Sequence, residues 1–143
     1  MPVLLVVEAD PAQREIISSL LEIFEYSAVF VNSAEEALSA VRGSPASFDA
    51  ILMDLLLPQS RELETAKAIR QVERERGRKT PLIAVSPSAS ERDRMDAIGA
   101  AADDCLDKPF DPEDLRRVLL KWTYNPARPN LRILPPSRSL ESA

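Results

Sequence analysis

The sequence predicts a doubly wound α/β domain: a five-stranded, mostly parallel sheet in the order 2-1-3-4-5, with helices on both faces. Three observations carry this. Short, wholly apolar runs recur that are too short for helices and suit strands buried on both faces. Longer stretches between them place apolar residues at helical spacing. The two kinds of segment alternate five times, the pattern of parallel strands joined by crossover helices.

Val3 to Val7 is the first strand, ending at Glu8. Asp10-Pro11 opens the first helix, with Asp10 as N-cap, Pro11 at the first helical position and Gln13 completing a capping box. Ile16, Ile17, Leu20, Leu21 and Phe24 form its apolar stripe. Ala28 to Val31 is the second strand. Ser33 caps the next helix in a box with Glu36, Ala37, Leu38 and Val41 face inward, and Gly43-Ser44-Pro45 ends it. Ala50 to Met53 is the third strand, running directly into Asp54, and Leu55 to Pro58 is a loop. A charged helix from about Ser60 to Arg76 turns Leu63, Ala66, Ile69 and Val72 inward, and Gly77 closes it. The alternating Glu73-Arg74-Glu75-Arg76 reads as a solvated helix end. Thr80-Pro81 resets the chain to an extended conformation before the fourth strand, Leu82 to Val85. A loop over Ser86 to Ser90 leads into a helix from about Glu91 to Ala101 that buries Met95 and Ile98. Cys105 and Leu106 make a short fifth strand. Asp111-Pro112 caps the last helix, whose inner face carries Leu115, Val118, Leu119 and Trp122.

With 143 residues, 45% hydrophobic and 29% charged, the chain fits one packed domain plus an appendage. The domain is expected over residues 1–124. Residues 125–143 carry Pro126, Pro129, Pro135 and Pro136, and set Arg128, Arg132 and Arg138 against Glu141, which reads as an extended tail or linker. No apolar run approaches a membrane span and no secretion signal is visible. Cys105 is the only cysteine, which removes disulfides and thiolate zinc clusters and fits a reducing, cytoplasmic location. The absence of histidine removes His-based acid/base catalysis, Ser-His-Asp triads and imidazole metal sites. A net charge of −5 argues against a domain that binds nucleic acid by neutralising phosphates.

In such a sheet the ligand site lies beyond the carboxyl ends of the strands, where the strand order reverses. Glu8, Asp54, Ser86 and Lys108 follow strands one, three, four and five, so they are expected to converge. Two carboxylates with loop oxygens suit a hard cation such as Mg2+. A lysine and a hydroxyl beside them suit phosphoryl oxygens, and Asp54 is placed to act as a nucleophile forming an acyl phosphate.

At these residues the sequence resembles the receiver domains of two-component response regulators and hybrid sensor histidine kinases, a flavodoxin-like fold. The motifs are Val-Val-Glu-Ala-Asp-Pro at 6 to 11, Ile-Leu-Met-Asp-Leu-Leu-Leu-Pro at 51 to 58, Pro-Leu-Ile-Ala-Val-Ser at 81 to 86 and Asp-Asp-Cys-Leu-Asp-Lys-Pro-Phe at 103 to 110. The resemblance runs from about Pro2 to Tyr124. It implies that Asp54 takes a phosphoryl group from a phosphohistidine on a histidine kinase or phosphotransfer protein. It also implies that Lys108 contacts that group, that Ser86 moves to hydrogen-bond it, and that Leu56 offers its backbone carbonyl to Mg2+. A chain without histidine can accept in that relay and cannot donate.

Five positions depart from the family pattern. Ala9 stands where the second of two adjacent acids is usual, so Mg2+ is expected to bind weakly, through Glu8 and Asp54, while Asp10 is committed to its cap. Arg61-Glu62 replaces an Asp-Gly pair, Ala101 a glycine, and Cys105 an aromatic residue that reports the switch. The leading reading is a phosphoaccepting receiver that switches a surface around the fourth helix, fifth strand and fifth helix for a downstream protein partner. It would not be a conventional turnover enzyme. The alternative raised by Ala9 is a pseudo-receiver, a protein-interaction module not switched by Mg2+-dependent phosphorylation. A Mg2+-dependent phosphohydrolase would need an acid at position 56, which is leucine. No DNA-binding domain is visible in the chain; a homodimer is left open.

Overall fold

The computed structural model describes residues 1–44, 47–54, 62–86 and 101–124. Five strands, β1 (Val3–Val7), β2 (Ser27–Val31), β3 (Ala50–Asp54), β4 (Leu82–Ser86) and β5 (Asp104–Asp107), pair in parallel in the order β2-β1-β3-β4-β5. The described helices are α1 (Pro11–Ile23), α2 (Ala34–Gly43), α3 (Glu62–Glu75) and α4 (Pro112–Thr123). The strand order is the one the sequence predicts. The helix expected over 91–101, the loop over 55–58, the side chain of Leu63 and the tail after Tyr124 lie outside what is described, apart from Ala101, which falls in a turn.

Strand periodicity splits the core in two, because successive side chains point to opposite faces. Leu4, Val6, Leu52, Ile83, Val85 and Leu106 pack with Ile17, Leu21, Leu115 and Leu119, so α1 and α4 cover one face. Leu5, Val7, Ile51, Met53, Leu82 and Ala84 pack with Ala37, Val41, Ala66 and Ile69, so α2 and α3 cover the other. Burial on both faces explains why β1, β3 and β4 read as continuous apolar runs rather than alternating ones.

Local signals set the boundaries, with four corrections. The Asp10 side chain accepts from the Ala12 amide, so Asp10 caps α1, but through the second helical residue and without the predicted box to Gln13. Ser33 accepts from the Glu36 amide as predicted, yet the Glu36 carboxylate takes the Asn32 amide, one residue before the cap. Asp111 and Asp114 form a complete capping box at α4. Ile16, predicted on the buried stripe of α1, is 52% exposed: Ile17 and Leu21 supply the buried anchors, and the helix turns Ile16 past the sheet. Gly77 (φ 66°) terminates α3 in the two-bond motif predicted for a left-handed C′ glycine, its amide donating to the Arg74 carbonyl and the Arg78 amide to the Glu73 carbonyl.

The fourth correction concerns the charged end of α3. Glu73 is buried and accepts the Thr80 amide at 2.5 Å. Arg76 donates to the carbonyls of Val41 and Arg42, satisfying the orphan acceptors at the C-terminus of α2. Arg70 pairs with Asp103 and donates to the carbonyls of Thr80 and Ala101. Glu73 and Arg76 thus tie the end of α3 to the entry of β4 and to α2, while Arg74, Glu75 and Arg76 stay exposed, so the solvated reading holds for the run except at Glu73.

Candidate functional site

Because all five strands run the same way, residues that end β1, β3 and β4 or follow β5 meet at one edge. Val7 pairs with Met53, and Asp54 with Val85, which places Glu8, Asp54 and Ser86 at adjacent strand ends. The Glu8 amide donates to the Val31 carbonyl at 3.1 Å, extending β1 alongside β2. The Lys108 amide donates to the Ser86 carbonyl at 2.8 Å, which fixes where the lysine leaves β5. The peptide bond from Lys108 to Pro109 is cis.

The side chains converge. Lys108 Nζ lies 3.0 Å from Asp54 Oδ2 and 3.4 Å from Glu8 Oε1, donating to both. Glu8 Oε2 accepts the Asp10 amide at 3.1 Å. Glu8 is only 3% exposed and Asp54 4%, while Ser86 is fully buried. Taking carboxylates out of water without balancing them is costly, so this cluster is held by its mutual contacts. Burial pushes the Glu8 carboxyl above its usual range, reinforced by the neighbouring Asp54 and opposed by the Asp10 amide and Lys108. Burial would depress Lys108, but its hydrogen bond to Asp54 and the charges of Asp54 and Glu8 outweigh it and hold the ammonium above its usual range.

Glu8 and Asp54 supply the oxygen chemistry Mg2+ takes. Among the described residues no group of three or more His, Cys, Asp or Glu side chains is assembled for a metal. Asp10, the next nearest acid in sequence, spends its carboxylate on the α1 cap. Leu56, whose carbonyl was the third expected ligand, lies outside the described residues. Among the described residues, Glu8 and Asp54 thus offer oxygen donors of the kind a hard cation takes.

Beside the site lies a groove of about 460 Å³, lined by Gln13, Ile16, Leu20, Lys108, Pro109, Phe110 and Pro112. The sequence reading missed it because it assigned Ile16 to the core. The signal was there: Ile16 and Ile17 are adjacent, and on a helix covering a single sheet two neighbouring residues cannot both point at its centre. Cys105, expected to be a small core residue, is half-buried against the α2/α3 side.

These features define a class, an aspartate-centred receiver sheet. The match to known proteins places the chain in it: residues 4–120 fit the model of the response regulator receiver domain, and the chain belongs to that family. It is 33% identical over 123 residues to the sensor histidine kinase GacS of Pseudomonas protegens, covering 85% of this chain and 13% of that protein. The chain thus corresponds to a small part of that relative. Among solved structures it is 30% identical to the receiver domain of the sensor histidine kinase PA1611 from Pseudomonas aeruginosa, with a TM-score of 0.75 and coverage of 85% of this chain and 97% of that one. That receiver was solved with a magnesium ion coordinated in its active-site cleft. This chain is also 25% identical, with a TM-score of 0.78 over 85% of its length and 88% of the other, to the receiver domain of the Saccharomyces cerevisiae response regulator Ssk1, solved with the histidine phosphotransfer protein Ypd1. The chain is a receiver domain of two-component signal transduction, and no described helix is long and apolar enough to cross a membrane.

Proposed function

We propose that this receiver accepts a phosphoryl group on Asp54 from a phosphohistidine of a histidine kinase or phosphotransfer protein. The observation that carries the reading is the buried Asp54 carboxylate with the Lys108 ammonium 3.0 Å away, at the sheet edge where ligands bind. In the transfer, an Asp54 carboxylate oxygen forms a bond to phosphorus as the phosphorus–nitrogen bond to the donor imidazole breaks. The imidazole leaves with the bonding pair and is neutral once protonated. Lys108 balances negative charge on the transferred oxygens, and Ser86, next along β4, is the hydroxyl that would turn to meet them. Glu8 and Asp54, with the carbonyl of Leu56, would hold Mg2+, which supplies charge neutralisation for the phosphoryl oxygens when bound. With Ala9 in place of an acid we assign the site a weak affinity for it.

The groove lined by Ile16, Leu20, Pro109 and Phe110 opens beside Lys108, so an apolar partner surface bearing the phosphohistidine could reach Asp54 across it. We assign the receiver to residues 1–124 and a linker role to 125–143. Ala9 favours a second reading, a pseudo-receiver that keeps the fold and binds partners without being phosphorylated. Intact mass after treatment with a small phosphodonor and Mg2+ separates the two. One added phosphoryl group, lost in Asp54→Asn, supports phosphoacceptance. No addition at high Mg2+, or persistent labelling of Asp54→Asn, refutes it.

A further inference from the structure

We propose that the chain's own tail packs on the outward face of α1, with the Leu-Arg-Ile-Leu segment at 131–134 covering the row Ile16, Leu20 and Ile23. These three residues recur at helical spacing and so lie along one side of α1. Ile16 is 52% exposed and Ile23 71%. Ile16 and Leu20 also open onto the groove beside Lys108, which makes the row continuous with it. Apolar side chains gathered in this way mark a surface that a partner covers.

Three observations select the tail as that partner. The first is where it starts. Thr123 Oγ1 lies 2.8 Å from Tyr26 Oη, and the Tyr26 amide donates to the Leu21 carbonyl, so the chain leaves α4 beside the C-terminus of α1. From Tyr124 to Leu131 the chain reaches at most about 23 to 25 Å, whereas Ile23 to Ile16 is a rise of about 10 Å along the helix. The second is shape. Pro129 before the segment and Pro135-Pro136 after it favour extended backbone. Extended, 131–134 spans about 10 Å, the length of the row. The third is charge. Glu15 and Glu22 are exposed in the helical row next to Ile16 and Ile23, and Glu25 follows the helix. The helices α2, α3 and α4 each carry a basic residue in the last turn, Arg42, Arg74 and Lys121, and α1 carries none there. Its one cation, Arg14, sits over the Phe30 ring and donates to Asn32. Arg128 and Arg132 of the tail supply the positive charge that a helix C-terminus and these acids favour. A protein approaching Asp54 across Ile16 and Leu20 would have to displace the segment first, which gives the tail a role beyond that of a linker.

The packing does not depend on phosphorylation of Asp54, and its test contains no phosphoryl group, so the two readings fail separately. The experiment uses the full chain with isotope-labelled isoleucine methyl groups and a neutral gadolinium chelate, which relaxes the groups that solvent reaches. The parent is compared with the variant Leu131→Ser/Ile133→Ser/Leu134→Ser. Relaxation of the Ile16 and Ile23 methyls is expected to rise about twofold or more in the variant. The buried Ile17 and Ile51 should stay unchanged, which shows that the fold is kept. Equal relaxation of Ile16 and Ile23 in parent and variant overturns the proposal. Shielding in the parent that disappears on dilution overturns it too, because the occupant would then be the tail of a second copy.

Discussion

Glu25 follows the C-terminus of α1 with φ 67°, in the left-handed region that side chains rarely enter. The same turn geometry ends α3, where Gly77 occupies the equivalent place. At α1 the Tyr26 amide donates to the Leu21 carbonyl and the Glu25 amide to the Glu22 carbonyl, so the two-bond cap is complete although its hinge residue has a Cβ. Glu25→Gly is therefore expected to stabilise the domain. The left-handed conformation costs an L-residue about 1 to 2 kcal/mol. Glycine loses more backbone entropy on folding, about 0.5 to 1 kcal/mol. The difference leaves a net gain of roughly 0.5 to 1 kcal/mol, which for a domain of this size is a rise of about 2 to 4 °C in thermal midpoint. Removing the glutamate also removes its side-chain interactions, so the proper comparison is Glu25→Ala, which deletes the carboxylate and keeps the strain. The assay is thermal unfolding by far-ultraviolet circular dichroism of the parent and both variants. A glycine variant that melts at or below the alanine variant would refute the reasoning, because it would mean the backbone at this cap carries no strain to relieve.

Two other predictions concern the site and its rim. Ile16→Asp places a charge in the groove beside Lys108 and is expected to slow phosphotransfer from a histidine phosphotransfer protein about tenfold or more, while labelling by a small phosphodonor stays at the parental rate; equal effects on both donors would place Ile16 outside the docking surface. The raised Glu8 carboxyl has a definite sign in stability. The folded state holds a proton that the unfolded chain releases near pH 4.5, so its contribution is most favourable below that value and is lost as pH rises through the folded-state value. Glu8→Gln should accordingly flatten the fall in stability above pH 4.5 in metal-free buffer, and a denaturant midpoint profile that keeps the parental slope would contradict it.

The sheet was legible because its signal is repeated and redundant. The runs Val3 to Val7, Ala50 to Met53 and Leu82 to Val85 are each apolar on both faces, and only a central parallel strand has that demand. The site was legible for a related reason: Glu8, Asp54 and Ser86 break those runs at their carboxyl ends, so polarity itself marks the edge. What could not be read were contacts between charged helix residues and distant backbone. Nothing local in Glu73-Arg74-Glu75-Arg76 tells which side chains reach the Thr80 amide or the Val41 carbonyl, because these partners are set by how α3 lies against α2. The burial of Arg116 was missed as well, although its partner Glu113 stands one turn away on the same helix. Ile16 failed differently, since helical spacing admits both it and Ile17 to one stripe and only the width of the sheet beneath decides between them.

The buried charges at the two ends of the sheet explain why one end is read as scaffold and the other as a working site. At the end where β4 and β5 begin, Arg70 meets Asp103, Glu73 takes a backbone amide, and Arg76 fills the carbonyls of α2. Each charge there is matched to a fixed dipole or an opposite charge, and Asp103 also accepts the Leu82 amide that starts β4. At the carboxyl ends, Glu8 and Asp54 share one ammonium, their sum is −1, and burial opposes the charge Glu8 carries. An arrangement of this kind is poor stabilisation, since a neutral packing of the same volume would cost less desolvation. Its virtue lies in having somewhere to go. The phosphoryl group proposed for Asp54 would add negative charge beside the ammonium that both carboxylates share, and would draw Lys108 toward it and away from Glu8.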